Sequence, residues 1–280
     1  MRTRFLSKCT NQEVEAYLQK NDLIFIPVGV TELHGGLPLD SETVISEAVA
    51  LNLAEKTDGL VLHNLPYFYA GATISGRGTV QVSVRDGIDY LLAVAKSLYR
   101  QGFKRQVFIS LHGPASLTIG PVIRDFFEEK KVPLLYIDSM VTMMKPEFAQ
   151  KFFGGEGDPF TDLILAGYDY LGRLDEVPLT TPENDFSEKK EPSLAFANDL
   201  FRSAFGSSST AYYFGELSDH MPTHKIESVE HRQQIADNGK PLFDAFVESL
   251  EIEKKVALLK ELADFQDEVV IPKYKDWLYE

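Results

Sequence analysis

The segment LIFIPVGVTELHGGLPLDSETVISEA (residues 23–48) contains a strand, a loop and the start of a helix. LIFIPVG (23–29) is a continuous apolar run ending in glycine, the pattern of a strand buried on both faces. ETVISEAVALNLAEK (42–56) reads as a helix, with Ser41 placed to cap it. The loop between them carries Glu32, His34, Asp40 and Glu42 beside two glycines and a proline.

The same alternation continues on both sides. Upstream, Thr10 and Glu13 form a capping box before a short first helix. Downstream, LVLHNL (60–65), QVFISL (106–111) and PLLYID (133–138) read as strands, with His63 a satisfied core histidine inside the first of them. DGIDYLLAVAKSLYRQG (86–102) and SLTIGPVIRDFFEEK (116–130) read as helices. Strands alternating with helices imply an α/β fold in three layers, a mostly parallel sheet with helices on both faces. Such sheets bind ligands outside the carboxyl ends of their strands, where the 28–40 loop falls. Further on, DPFTDLILAGYDYLG (158–172) and NGKPLFDAFVESLEIEKKVALLKELADF (238–265) are helical, and Trp277 and its aromatic neighbours are expected to dock the tail. LTTPENDFSEKKEPS (179–193) is polar and charged, an exposed excursion around 180–210 in a chain with no linker long enough to force a second domain.

Composition narrows the function. The 280 residues include 28 Lys and Arg against 42 Asp and Glu, a formal net charge of −14, which argues against binding a nucleic-acid backbone. The single Cys9 excludes an internal disulfide and a cysteine zinc knuckle, and fits a reducing compartment. No apolar run is long enough to span a membrane, and the polar N-terminus does not read as a signal peptide, so a cytoplasmic protein is expected.

Glu32 and His34 are two apart, so an extended backbone points both to one side. Carboxylate and imidazole donors together suit Zn, Mn or Fe rather than Ca. In VFISLHGPAS (107–116), His112 stands just past another buried strand, on the same edge of the sheet. One such histidine is ordinarily a loop residue bonded to a carbonyl; two on one edge shift the balance toward a metal. GATISGRG (71–78) lacks the ending and context of a phosphate loop and reads as a turn or substrate loop, with Arg77 on the surface. Tyr67, Phe68 and Tyr69 read as packing residues.

These residues resemble the signature of the creatininase family, roughly P-V-G-S-x-E-Q-H-G-P-H-L-P-L-x-T-D-x-x-I-A-E. SGRGTVQVS (75–83) is similar to the family's G-T-I-S-L strand, and GFKRQVFISLHGPAS (102–116) to its segment ending N-G-H-G-G-N. FGGEGDPFTDLILAG (153–167) and the stretch from Phe214 to Leu250 are weaker echoes. The resemblance implies a metal-dependent amidohydrolase with a small-molecule substrate, cleaving C–N bonds of cyclic amides or formamides, with two divalent ions (Zn, Mn or Fe) and a homo-oligomeric, often hexameric, assembly. It implies Glu32, His34 and His112 as metal ligands, and Glu42 at the place of the bridging aspartate, with Asp40 the alternative. Asp158, or Glu156 close by, falls where many members supply a further carboxylate. The sequence departs from the pattern in three ways: the loop is one residue shorter after His34, Ser110 and Ser116 replace asparagines, and Phe153 falls where creatininase itself has a proton-transferring histidine. Creatinine is therefore not the expected substrate. Proton transfer falls to Glu156 and to His220, with His224 an alternative. Two rival readings are a metal-binding member that has lost hydrolysis and a flavodoxin-like binder of a phosphorylated ligand.

Overall fold

The computed structural model describes residues 1–153, 158–203, 210–220 and 223–278. Four strands form one parallel sheet in the order β2-β1-β3-β4: β1 (Leu23–Pro27), β2 (Leu60–Val61), β3 (Arg105–Ser110) and β4 (Leu135–Asp138). Central β1 sets Ile24 opposite Leu60 on one side and opposite Gln106 on the other. Its five residues are all buried, which is why it reads as an unbroken apolar run. From β1 the chain moves outward to β2 and then crosses to β3, so the crevice between β1 and β3 is the sheet's switch point.

Side chains alternate across the sheet and feed two cores. Leu23, Phe25, Val107 and Ile109 face one, with α2 (Ser41–Thr57). Ile24, Ile26 and Phe108 face the other, with α1 (Asn11–Leu18), α3 (Val84–Arg100) and α4 (Ser116–Lys130). The three-layer α/β/α arrangement follows directly. Two short helices, α5 (Ser139–Met143) and α6 (Pro146–Phe153), lead into α7 (Pro159–Tyr170), which packs on α2. After a small helix α8 (Asn198–Phe201), α9 (Val229–Ser249) packs along α7, and α10 (Ile252–Phe265) and α11 (Ile271–Leu278) complete the chain. Among the described helices none is long and apolar enough to cross a membrane.

The Thr10–Glu13 capping box is formed at α1. Other local details differ from the sequence reading. Ser41 is the first residue of α2 rather than its cap, and its hydroxyl turns back to the Pro38 carbonyl at 2.7 Å. The run 60–65 keeps only two residues in the sheet: the Glu47 carboxylate accepts from Asn64 N at 2.8 Å and holds that residue at φ 65°, turning the chain away. His63 is thus a half-buried loop residue against the Phe5 ring. The stretch 75–83 forms no strand; Val80 N and Val82 N bond singly to Thr31 O and Phe68 O. The long C-terminal helix is broken at Glu251, whose φ is 44°. Trp277 is 66% exposed and meets only the Tyr274 ring among the ring contacts, so it does not dock the tail on the body. The 179–203 excursion is largely exposed and is tied down by Thr180 N to Ile226 O and by Ser193 to Asp219.

Candidate metal centre

Where β1 ends, Gly29 passes so close to α2 that a Cβ would lie 2.1 Å from Thr43 Oγ1. This contact, with the Thr43 hydroxyl donating to Val30 O at 3.0 Å, seats the 28–40 loop on the first turn of the helix. Glu32 and His34 are consequently 2% and 3% exposed. Glu42, in the first turn of α2, comes from the other side; helix N-termini favour such a carboxylate. His112, 3% exposed, follows β3 directly, so the groups meet over the switch point.

One ligand atom each from Glu32, His34, Glu42 and His220 lies within 4.8 Å of the others. His220 arrives from 186 residues beyond His34, its Nε2 3.3 Å from His34 Nδ1. His112 sits against this group: Nδ1 is 2.5 Å from Glu42 Oε2 and 3.1 Å from Glu32 Oε1, and Nε2 is 2.8 Å from Tyr69 O. A carbonyl only accepts, so Nε2 carries a hydrogen, and one further proton is shared between Nδ1 and Glu42. Asp40 is turned away, accepting from Tyr168 Oη at 2.6 Å and Arg173 Nη2 at 2.8 Å. Asp158 stands outside the donor group as the cap of α7, accepting from Thr161 N at 3.1 Å and from the Thr161 hydroxyl. His224 is paired with Asp162 Oδ1 at 3.0 Å. Glu156 and the Phe153 side chain lie outside the described residues.

The electrostatics follow from burial and mutual charge. Burial opposes ionisation of Glu32, but the charge of the nearby His112 outweighs it and holds the carboxyl down, at about 2. Burial and the nearby Glu32 charge push Glu42 up, to about 8. Burial works against the His112 charge, yet the two carboxylates raise its pKa well above the ordinary value. Burial, then the neighbouring His220, lowers His34 to about 3, and burial lowers His220 as well. Both imidazoles are therefore neutral, the form that binds metal.

The donor set fits a divalent transition ion. It offers two carboxylates and two neutral imidazoles, a mixture that suits zinc, manganese or iron. Glu32 Oε1 is buried and, although 3.1 Å from His112 Nδ1, accepts no hydrogen bond, since that nitrogen is directed at Glu42. An orphaned carboxylate oxygen buried in a group of metal-type donors is what a cation would satisfy.

The family model described as creatinine amidohydrolase matches residues 7–159, just over half of the chain. The chain belongs to the creatininase family. It is 30% identical over 158 residues to 3-dehydro-scyllo-inosose hydrolase of Thermotoga maritima, covering 54% of this chain and 49% of that one, so the match spans about half the length of that relative. In three dimensions it is similar to a creatininase of Zn–Zn type (TM-score 0.58, 20% identity, 89% of this chain and 99% of that one). A second neighbour is a putative creatinine amidohydrolase from Bacteroides fragilis (TM-score 0.58, 19% identity, 92% and 96%). Another solved creatininase is described as a Mn form.

Sequence reasoning missed what surrounds the donors. The Thr73 hydroxyl, in the 3₁₀ turn Gly71–Ser75, donates to Glu32 Oε2. The Tyr69 carbonyl braces His112, and Met140, Phe160, Tyr212 and Phe214 wall a cavity of about 460 Å³ beside the donors. The run GATISGRG (71–78) signalled part of this, as a turn or substrate loop.

Proposed function

We propose that the protein is a metal-dependent hydrolase of a non-peptide C–N bond, of the cyclic amide or formamide type, and that creatinine is not its substrate. The observation that carries the reading is the convergence of Glu32, His34, Glu42 and His220 on the wall of a ligand-sized cavity at the carboxyl edge of the sheet. Phe153 at the family's proton-transfer position supports the exclusion of creatinine.

In this reading Glu32, His34, Glu42 and His220 hold one divalent ion: zinc, manganese or iron. His112, on loss of the proton it shares with Glu42, would together with Glu42 and Glu32 hold a second. Bound ions of this kind supply Lewis-acid polarisation of a carbonyl and activation of water at neutral pH. The Tyr69 carbonyl fixes His112 Nε2–H and so aims Nδ1 at the two carboxylates. Thr73 fixes Glu32 in the same way. Protonation of the leaving nitrogen falls to Glu156, since His220 is engaged as a ligand; Asp158 would have to give up its helix cap to serve as a further one. The acidic chain with its lone Cys9 supports a cytoplasmic setting, and the family supports a homo-oligomer, which light scattering tests.

The test is elemental analysis of protein reconstituted with zinc, manganese or iron, followed by a screen of lactams, hydantoins and formamides. Glu32→Gln should lose both metal and turnover. Metal retention without turnover on any such substrate would favour the rival reading, a metal-binding member that has lost hydrolysis. Absence of metal binding would sink both.

A further inference from the structure

We infer that the substrate of this site is an uncharged molecule with an apolar, ring-sized body. The inference rests on the cavity being the active site, and it deepens that reading by naming what fills the space beside the donors. The body of the cavity is made by Met140, Met143, Phe160, Leu163, Tyr212 and Phe214. No Lys, Arg, Asn or Gln is among its described lining residues, and the segments 154–157, 204–209 and 221–222 contain none in sequence. Apart from the donor group itself the described lining carries no charged side chain, so a charged group on the body of the substrate, of either sign, would be buried there without a counter-charge.

A polyhydroxylated substrate would fare no better, because the polar groups nearest the donors are already engaged. Along the 69–73 wall, Tyr69 O accepts from His112, and Ala70 N and Gly71 N both donate to Gln81 Oε1. Ala72 O accepts from Phe214 N, and Thr73 O accepts from Thr79 Oγ1 and Gly76 N. The Thr73 hydroxyl is bound to Glu32. A ligand rich in hydroxyls would give up its hydrogen bonds to water and find few partners here. An apolar ring meets methionine thioethers and aromatic edges, which adapt to its shape.

The inference is tested first by binding, without metal. Formanilide, formamide and N-formylglycine carry the same formamide group on an apolar, a minimal and an anionic body. Each is titrated into metal-free protein and followed by saturation-transfer NMR. Formanilide should bind at least about tenfold more tightly than either of the others. Met140→Lys and Tyr212→Ala, both at partly exposed positions and checked for folding by circular dichroism, should each erase most of that preference. Equal affinities, or tighter binding of N-formylglycine, would overturn the inference, as would a formanilide preference that both folded variants retain. The metal-loaded protein separates this from the proposed reaction. Selective binding of formanilide with no cleavage of any amide would leave the pocket assignment standing and remove the hydrolase. Cleavage confined to hydrophilic or anionic amides would keep the hydrolase and remove the apolar substrate.

Discussion

Thr73→Val removes one hydroxyl and little else. Thr73 is 3% exposed, and its turn is kept by backbone bonds to its carbonyl from Gly76 N at 2.9 Å and Thr79 Oγ1 at 3.0 Å, which valine leaves intact. The hydroxyl has one hydrogen and two acceptors, Glu32 Oε2 and, at 3.1 Å, Ala70 O. The charged carboxylate makes the stronger bond. Without it the buried Glu32 carboxylate keeps one oxygen orphaned and loses the donor to the other. A buried acceptor left unsatisfied costs about 1–3 kcal/mol, toward the upper part for a charged one. Taking about 2 kcal/mol, and the roughly 2–4 °C per kcal/mol of a domain near this size, the metal-free variant should melt about 4–8 °C lower. Loss of a group that orients a ligand typically weakens metal affinity about 10–100-fold. Differential scanning calorimetry of metal-free protein and competition against a chelating dye read the two effects, and Thr73→Ser should restore both. A valine variant equal to the parent in melting and affinity would refute the positioning argument; a serine variant as impaired as valine would show that the methyl group matters instead.

Three further outcomes are expected. Glu42→Gln should lose bound metal by elemental analysis while Asp40→Asn retains it, because Asp40 is occupied by Tyr168 and Arg173; the reverse result would overturn the geometry. Gly239→Ala should destabilise the fold by about 3 kcal/mol or more in urea unfolding, since a Cβ would sit 1.9 Å from Asp162 O where α9 crosses α7, and a loss under about 1 kcal/mol would contradict so close a crossing. His224 has a raised pKa through its pairing with Asp162, so the pair's contribution is full below about pH 6.5 and fades as pH rises through the raised folded value. The partly exposed pair is worth about 1 kcal/mol at most, so His224→Gln should be less stable than the parent at about pH 6 and indistinguishable from it at high pH; a difference that grows with pH would reverse the sign.

The fold and most of the candidate centre were legible because their physics is local. The β1 run is apolar because both its faces are covered, and Glu32, His34 and Glu42 stand on one short stretch whose strand and helix flank it. His112 was legible because it too directly follows a buried strand. What escaped the reading depends on the third dimension. Nothing in GATIS marks Thr73 as the donor to Glu32, since that bond joins positions 41 apart. The end of β2 at Val61 is set by Glu47 from α2 reaching Asn64 N, a tertiary contact that overrides an apolar stretch. The break at Glu251 interrupts a sequence with good helix propensity throughout, so no local signal announced it. Trp277 read as a docking residue because aromatics are usually buried, yet its face is open.

The separation of His220 from the other donors bears on the order in which the site is made and unmade. Glu32, His34 and Glu42 need only β1 and α2 packed together to be in place. His220 comes in on a segment joined to the 71–75 turn, among the described residues, by Phe214 N to Ala72 O at 3.1 Å and Ser75 Oγ to Phe214 O at 2.9 Å. The four-donor group is therefore complete only while this segment is seated on the turn. The same segment carries Tyr212 and Phe214 across the cavity. The donor group and the wall of the pocket thus depend on one and the same stretch of chain.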